Sequence, residues 1–166
     1  MVARPAQGEN MTRLPSPRPA PGARQDNPAD ASGWTNVLAE VPIFADLGRR
    51  HLKKVAGAGR IVRFHDGAPV IRTGTPGDAL YVLVDGKVSV RRRGLPSVAL
   101  GIGSFFGEMA LFDDSPRSAT VVADGAVVCL VITRTRFVKL LHAEPAIAVG
   151  LLKELARRLR AAQATA

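Results

Sequence analysis

Cysteine is almost absent from this chain of 166 residues. Cys129 stands alone, which rules out an intramolecular disulfide framework and leaves too few thiolates for a cysteine zinc site. Histidine is also scarce: His51, His65 and His142 lie far apart, with neither HxH nor HxxxH spacing, so no metal centre is expected. Aromatic residues make up only 5%, too few for the exposed stacking platform of an RNA-recognition module. The longest apolar run, residues 126–132, has seven residues against the roughly 20 of a membrane-spanning helix. The N-terminal stretch also lacks the apolar segment of a secretory signal. With a free thiol that suits a reducing compartment, these absences point to a cytoplasmic protein without a membrane span. Acidic residues are the last shortage: 14 Asp and Glu face 23 Lys and Arg, a formal charge of +9. Such a surface attracts anions, and phosphates are the natural candidates.

What is present fits one globular domain, with 46% hydrophobic and 22% charged residues. Residues 1–33 differ in kind. They hold six of the twelve prolines, interspersed with Ala, Gly, Ser and Asn, and cannot bury enough apolar surface to offset their ordering entropy. Their charge is four arginines against three acids, so the basicity belongs to residues 34–166, with 19 basic against 11 acidic residues, or +8. The expected organisation is a disordered Pro/Ala/Arg-rich tail over 1–33 and a folded domain over 34–166.

In the domain, residues 36–44 read as a short helix ending near Pro42, and 46–56 as a second, with Leu47, Leu52 and Val55 at helical spacing. Period-two segments follow at 60–64, 69–72, 79–84, 87–92, 97–102, 118–123 and 126–132. His65-Asp66-Gly67, Gly74-Thr75-Pro76-Gly77, Asp85-Gly86 and Asp124-Gly125 punctuate them, and the Asp-Gly pairs are tight-turn signals. Many short strands at such spacing predict an all-β barrel, roll or sandwich. Thr133 is placed to cap a helix running to about His142, and Pro145 to start another. That last helix carries Ile147, Leu151, Leu152, Leu155 and Leu159 along one side and must lie on something apolar.

Residues 103–120, GSFFGEMALFDDSPRSAT, interrupt the alternation. Gly107 directly precedes a one-turn helix former, Glu108-Met109-Ala110-Leu111; a glycine there lets backbone approach a ligand closely and leaves the first helical amides free for a phosphate. Asp113-Asp114-Ser115-Pro116 turns the chain back to Arg117, whose planar fork suits an anion held by two parallel bonds. Glu108 is the oddity, because a carboxylate beside a phosphate site repels it; accepting a hydroxyl such as a ribose 2′-OH would give it a role. Together these residues describe a pocket for a phosphorylated ribose.

The run FGEMALFDDSPRSATVVA resembles the phosphate-binding cassette of cyclic nucleotide-binding domains, the family of bacterial catabolite activators, cyclic-nucleotide-dependent kinase regulatory subunits and cyclic-nucleotide-gated channels. Val41-Pro42-Ile43-Phe44 with Leu47 resembles that family's leading helix, and residues 77–88, GDALYVLVDGKV, its central hairpin, so the likeness covers roughly 34–162. It implies a mainly-β fold, a β-roll (double-stranded β-helix, jelly-roll-like) with flanking N- and C-terminal helices. It implies that Glu108 bonds the ribose 2′-OH, that Arg117 pairs with the cyclic phosphate, and that Gly107, Met109 and Ala110 line the cradle. Ser118, after the arginine, leaves the purine open while favouring cAMP over cGMP. The final helix would be a lid, with Arg158, or less readily Arg157, capping the base. Ser104 departs from the family's GDxFGE run, where aspartate is common. No output domain follows the lid before Ala166, which suggests a stand-alone receptor signalling to an unknown separate effector, with no cofactor beyond its ligand.

Blander readings remain for individual features. Glu108 and Arg117 could form a mere internal ion pair, in an interaction module of the same fold that no longer binds nucleotide. Arg91, Arg92 and Arg93 read as a solvated strand end rather than a nucleic-acid or membrane contact, since charges without helical or aromatic support carry little sequence recognition. Asp113 and Asp114 read as turn residues and Cys129 as a small buried hydrophobe.

Overall fold

Thr120–Thr133, a run rich in valine, forms the longest strand among the described residues because β-branched side chains suit a pleated surface packed on both faces. In the computed structural model, which describes residues 24–25 and 33–165, it is the last of seven strands. These are β1 (Arg24–Gln25), β2 (Arg60–Phe64), β3 (Pro69–Ile71), β4 (Ala79–Arg91), β5 (Val98–Leu100), β6 (Phe105–Phe106) and β7 (Thr120–Thr133). All pairings are antiparallel, in the order β1-β2-β7-β4-β5, with β3 on β7 and β6 on β4. The helices are α1 (Thr35–Glu40), α2 (Arg49–Ala58), α3 (Arg134–Ala143) and α4 (Pro145–Ala164), with 3-10 turns at Pro42–Phe44 and Met109–Leu111. Of the expected tail over 1–33, all but Arg24, Gln25 and Gly33 lie outside the described residues; Arg24 and Gln25 run beside Arg63 and Val62 of β2.

The two faces of the central strands serve two cores. Leu80, Val82 and Val84 of β4, with Val128, Leu130 and Ile132 of β7, pack with Leu38, Phe44, Val55, Phe137 and Ile147 from the helical side. Ala79 and Leu83 of β4, with Val127, Cys129 and Val131 of β7, fill the interior of the roll with Phe64, Val70 and Phe106. Beyond Gly86 the side-chain parity of β4 flips, so that Val88 joins the interior set of Ala79 and Leu83. One extra residue in a strand does this.

That flip corrects the reading of Asp85-Gly86 and Asp124-Gly125 as hairpin turns between separate strands. Both pairs lie inside continuous strands, where β4 and β7 change register between Leu83 and Lys87, and residues 77–88 form no hairpin. Gly86, at φ 85°, supplies the positive dihedral the bulge needs, and a Cβ there would lie 2.3 Å from the Ala126 carbonyl oxygen. Local sequence shows a need for positive φ but not whether the partner strand turns with it.

The flanking helices follow expectation with local differences. The first ends at Glu40, and Pro42 opens a separate 3-10 turn; Thr133 stands at the N-cap of α3 without a side-chain capping bond; Pro145 starts α4. On α4, Ile147 and Leu151 are buried and Leu155 packs against the core, but Leu152 and Leu159 face outward, contrary to the single apolar side expected. Gly150 takes the inner face instead. It lets the helix axis approach Pro42–Phe44 so closely that a Cβ would meet the Ile43 carbonyl oxygen at 3.0 Å.

Candidate functional site

Arg117 enters the site from the turn before β7 and is 6% exposed. Its Nη1 donates to the Gly107 carbonyl at 2.7 Å and its Nη2 to the Ala79 carbonyl at 2.8 Å, while the guanidinium lies 5.7 Å from the centre of the Tyr81 ring. Among the described residues no carboxylate bonds to it; Asp78 and Glu108 act on it only through space. Burial lowers its pKa from the ordinary value, yet a guanidinium keeps its proton at any physiological pH, so the site holds a fixed, desolvated positive charge. The same burial raises the Tyr81 hydroxyl pKa, against the pull of Arg117.

Two glycines make room for this arginine. Gly107 has φ 84°, and a Cβ on it would fall 2.6 Å from Arg117 Nη1. A Cβ on Gly77 would fall 2.7 Å from Arg117 Nε and 2.5 Å from the Ala110 Cβ. Gly107 was singled out by its place before the helix; Gly77 reads in sequence as an ordinary turn residue. Its constraint comes from Ala110 and Arg117, more than thirty positions away.

The cassette folds as expected in outline. Glu108 has helical dihedrals at the N-cap of Met109–Leu111, and the turn closes through Leu111 N–H to Glu108 O at 3.0 Å. Ala110 and Leu111 are buried, whereas Met109 is exposed on the outer side. Asp113 Oδ1 accepts the Ser115 amide, which also lowers the Asp113 pKa, and Asp114 adopts φ 54°, so both are turn residues. Ser118 is exposed, next to the buried Arg117.

Glu108 is buried at 5% exposure, and it is not paired with Arg117. Its Oε1 accepts from Nη1 of Arg158 at 2.9 Å. Arg158 also donates through Nε to Glu154 and through Nη2 to the Phe105 carbonyl, and its guanidinium lies 4.4 Å from the centre of the Phe105 ring. The structure therefore places Arg158 against the floor of the cassette, tying α4 to Glu108. Arg157 bonds Glu154 from the exposed side, and these bonds, that of Arg157 first, lower the Glu154 pKa to about 2. The Glu108–Arg158 link joins residues fifty positions apart, and sequence offers no signal for it.

Other residues singled out stay apart from the site. Cys129 is buried in the roll interior, and burial pushes its thiol pKa up, away from thiolate chemistry. His51 and Lys54 face Glu144 on the helical side. Among the described residues no group of His, Cys, Asp and Glu is arranged to hold a metal ion, and no helix is long and apolar enough to cross a membrane.

The sequence pattern of the cyclic nucleotide-binding domain matches residues 61–144. A cyclic nucleotide-gated potassium channel of Mesorhizobium japonicum is 39% identical over 130 residues, covering 78% of this chain and 36% of the channel. The cAMP-dependent protein kinase regulatory subunit of Dictyostelium discoideum is 35% identical over 64% of this chain and 35% of its own. The chain thus spans about a third of the length of these curated relatives. Among solved structures, the catabolite activator protein of Thermus thermophilus superposes with a TM-score of 0.70 at 32% identity, covering 75% of this chain and 61% of that one. The regulatory domain of Toxoplasma gondii PKA, crystallised with cAMP, superposes at 0.65 and 28% identity, covering 76% and 50%.

Proposed function

The chain belongs to the cyclic nucleotide-binding domain family, and from that premise we propose that it is a receptor for a 3′,5′-cyclic nucleotide, with cAMP preferred over cGMP, that signals to a separate partner through α4. The observation that carries this reading is Arg117: a buried cation held by two carbonyl oxygens and bonded to no carboxylate among the described residues. Burying a charge without a counter-charge is costly, and a cyclic phosphate bound beside the Met109–Leu111 turn would supply one. The glycine before that turn lets the phosphate approach the backbone.

Glu108 connects the ligand to the lid in this reading. A carboxylate offers about four lone-pair sites, so it can accept a ribose hydroxyl while still accepting from Arg158. A ligand that orders Glu108 then favours the docked position of α4, and one that binds the docked state better shifts the population toward it. The base-capping role implied for Arg158 would require its guanidinium to exchange the Phe105 ring for the purine face. Ser118 beside Arg117 supports the preference for cAMP only through the family resemblance.

Calorimetric titration with cAMP and with cGMP tests the proposal. Binding at micromolar concentration or tighter, weakened strongly by Arg117→Lys and by Glu108→Ala, is the expected result. An ammonium cannot serve both carbonyls and the phosphate as the planar fork does. No heat from either nucleotide with a folded protein would reduce the cassette to a scaffold and favour an interaction module of the same fold.

A further inference from the structure

Arg134, the first residue of α3, is not marked by any sequence motif, yet it bonds to three segments beside the anion site. Its backbone amide donates to the Asp78 carbonyl at 2.6 Å. Its Nη2 donates to the Gly77 carbonyl at 3.0 Å and to the Ala110 carbonyl at 2.6 Å, and its Nη1 pairs with Asp114. One side chain thus spans the approach to β4, the far end of the Met109–Leu111 turn, and the turn that delivers Arg117. A helix of a single turn lies far below the length that sustains itself, and its terminal carbonyls need outside donors. Arg134 supplies a charged donor at that end, where a cation also complements the helix dipole. Its charge is close enough to Arg117 to lower the pKa of that residue further, which adds to the positive field of the cradle.

We propose that Arg134 is a positioning residue of the phosphate cradle: it holds the Met109–Leu111 turn preformed against residues 77–78 and ties both to the first turn of α3, so that occupancy of the cradle and the placement of α3 are linked. This rests on the receptor reading for its ligand but not for its geometry. Without the clamp the cassette samples open conformations, and apparent affinity falls by the fraction of molecules that remain competent.

The test pairs cAMP titration with amide hydrogen exchange of the unliganded protein, using the wild type, Arg134→Ala, Arg134→Lys and Asp114→Asn. Arg134→Ala is expected to weaken cAMP by ~10-fold or more and to speed exchange at residues 109–112 by a similar factor, while amides of the β4–β7 ladder keep their protection. Arg134→Lys recovers part of both effects, because an ammonium can serve one carbonyl but not the whole fork. Asp114→Asn stays within about twofold, since an exposed ion pair contributes little. Unchanged affinity and cassette exchange in Arg134→Ala would overturn the proposal, as would loss of protection across the whole sheet, which would mark a merely structural residue. If Arg134→Ala fails to fold, Arg134→Lys decides by the same readouts. If the wild type binds neither cAMP nor cGMP, the receptor reading fails and the exchange data still decide the role of Arg134.

Discussion

Replacing Gly77 by alanine adds one methyl group at the tightest point of the site. It would lie 2.5 Å from the Ala110 Cβ, 2.7 Å from Arg117 Nε and 2.8 Å from Arg117 Cζ. Neither neighbour yields readily. Ala110 belongs to the turn clamped by Arg134, and the Arg117 guanidinium is fixed at both ends by carbonyls. Overpacking of this kind typically costs about 1–3 kcal/mol. Because the cassette is a one-turn element near the surface, the strain is relieved only by letting it move outward off the bonds made by Arg134 and Arg117, a displacement open to the free protein but not to one holding nucleotide in the tight arrangement. The cost therefore falls on affinity, which drops ~5- to 150-fold, while the melting temperature falls by no more than a few degrees. Calorimetric titration with cAMP and a thermal melt measure the two quantities, with Gly57→Ala as the control. Gly57 sits in α2 with nothing within 4 Å of an added Cβ, so alanine there leaves affinity unchanged and raises stability slightly. Affinity of Gly77→Ala within twofold of wild type would refute the steric account of how Arg117 is seated.

Two further outcomes follow from α4. Gly150→Ala improves helix propensity by about 1 kcal/mol but forces a Cβ to 3.0–3.1 Å from the Ile43 backbone, so the protein should melt a few degrees lower; a higher melting temperature would show that α4 does not approach Pro42–Phe44 so closely. Glu154, with its pKa lowered to about 2, stabilises α4 through its bonds to Arg157 and Arg158 fully above pH ~4.5 and loses that contribution as pH falls toward 2. Because Arg157 is largely exposed, the effect is on the order of 1–2 kcal/mol, and exchange protection along α4 between pH 5 and 2.5 should decline in the wild type but not in Glu154→Gln.

Much of the molecule was legible because its signals are local. Period-two segments overlapped every described strand longer than two residues, though β4 and β7 were each divided in two; glycine before a one-turn helix and arginine after a turn marked the cassette, and Pro145 marked the start of α4. The Asp-Gly pairs misled because a positive φ serves a bulge as well as a hairpin, and only the partner strand distinguishes them. The outward Leu152 and Leu159 misled because a twenty-residue helix rich in leucine has more apolar surface than this body can cover.

By itself the sequence determined the class of fold and the chemistry available at one loop: a fixed cation, a carboxylate and a close-approach backbone. Those follow from residue type and nearest-neighbour spacing. The tertiary structure alone decided who partners whom. It set Glu108 against Arg158 rather than Arg117, seated Arg117 in the space left by Gly77, and brought Arg134 across three segments. Such pairings join residues 24 to 57 positions apart, and which of many possible charges and cavities meet is settled only when burial closes the chain around them.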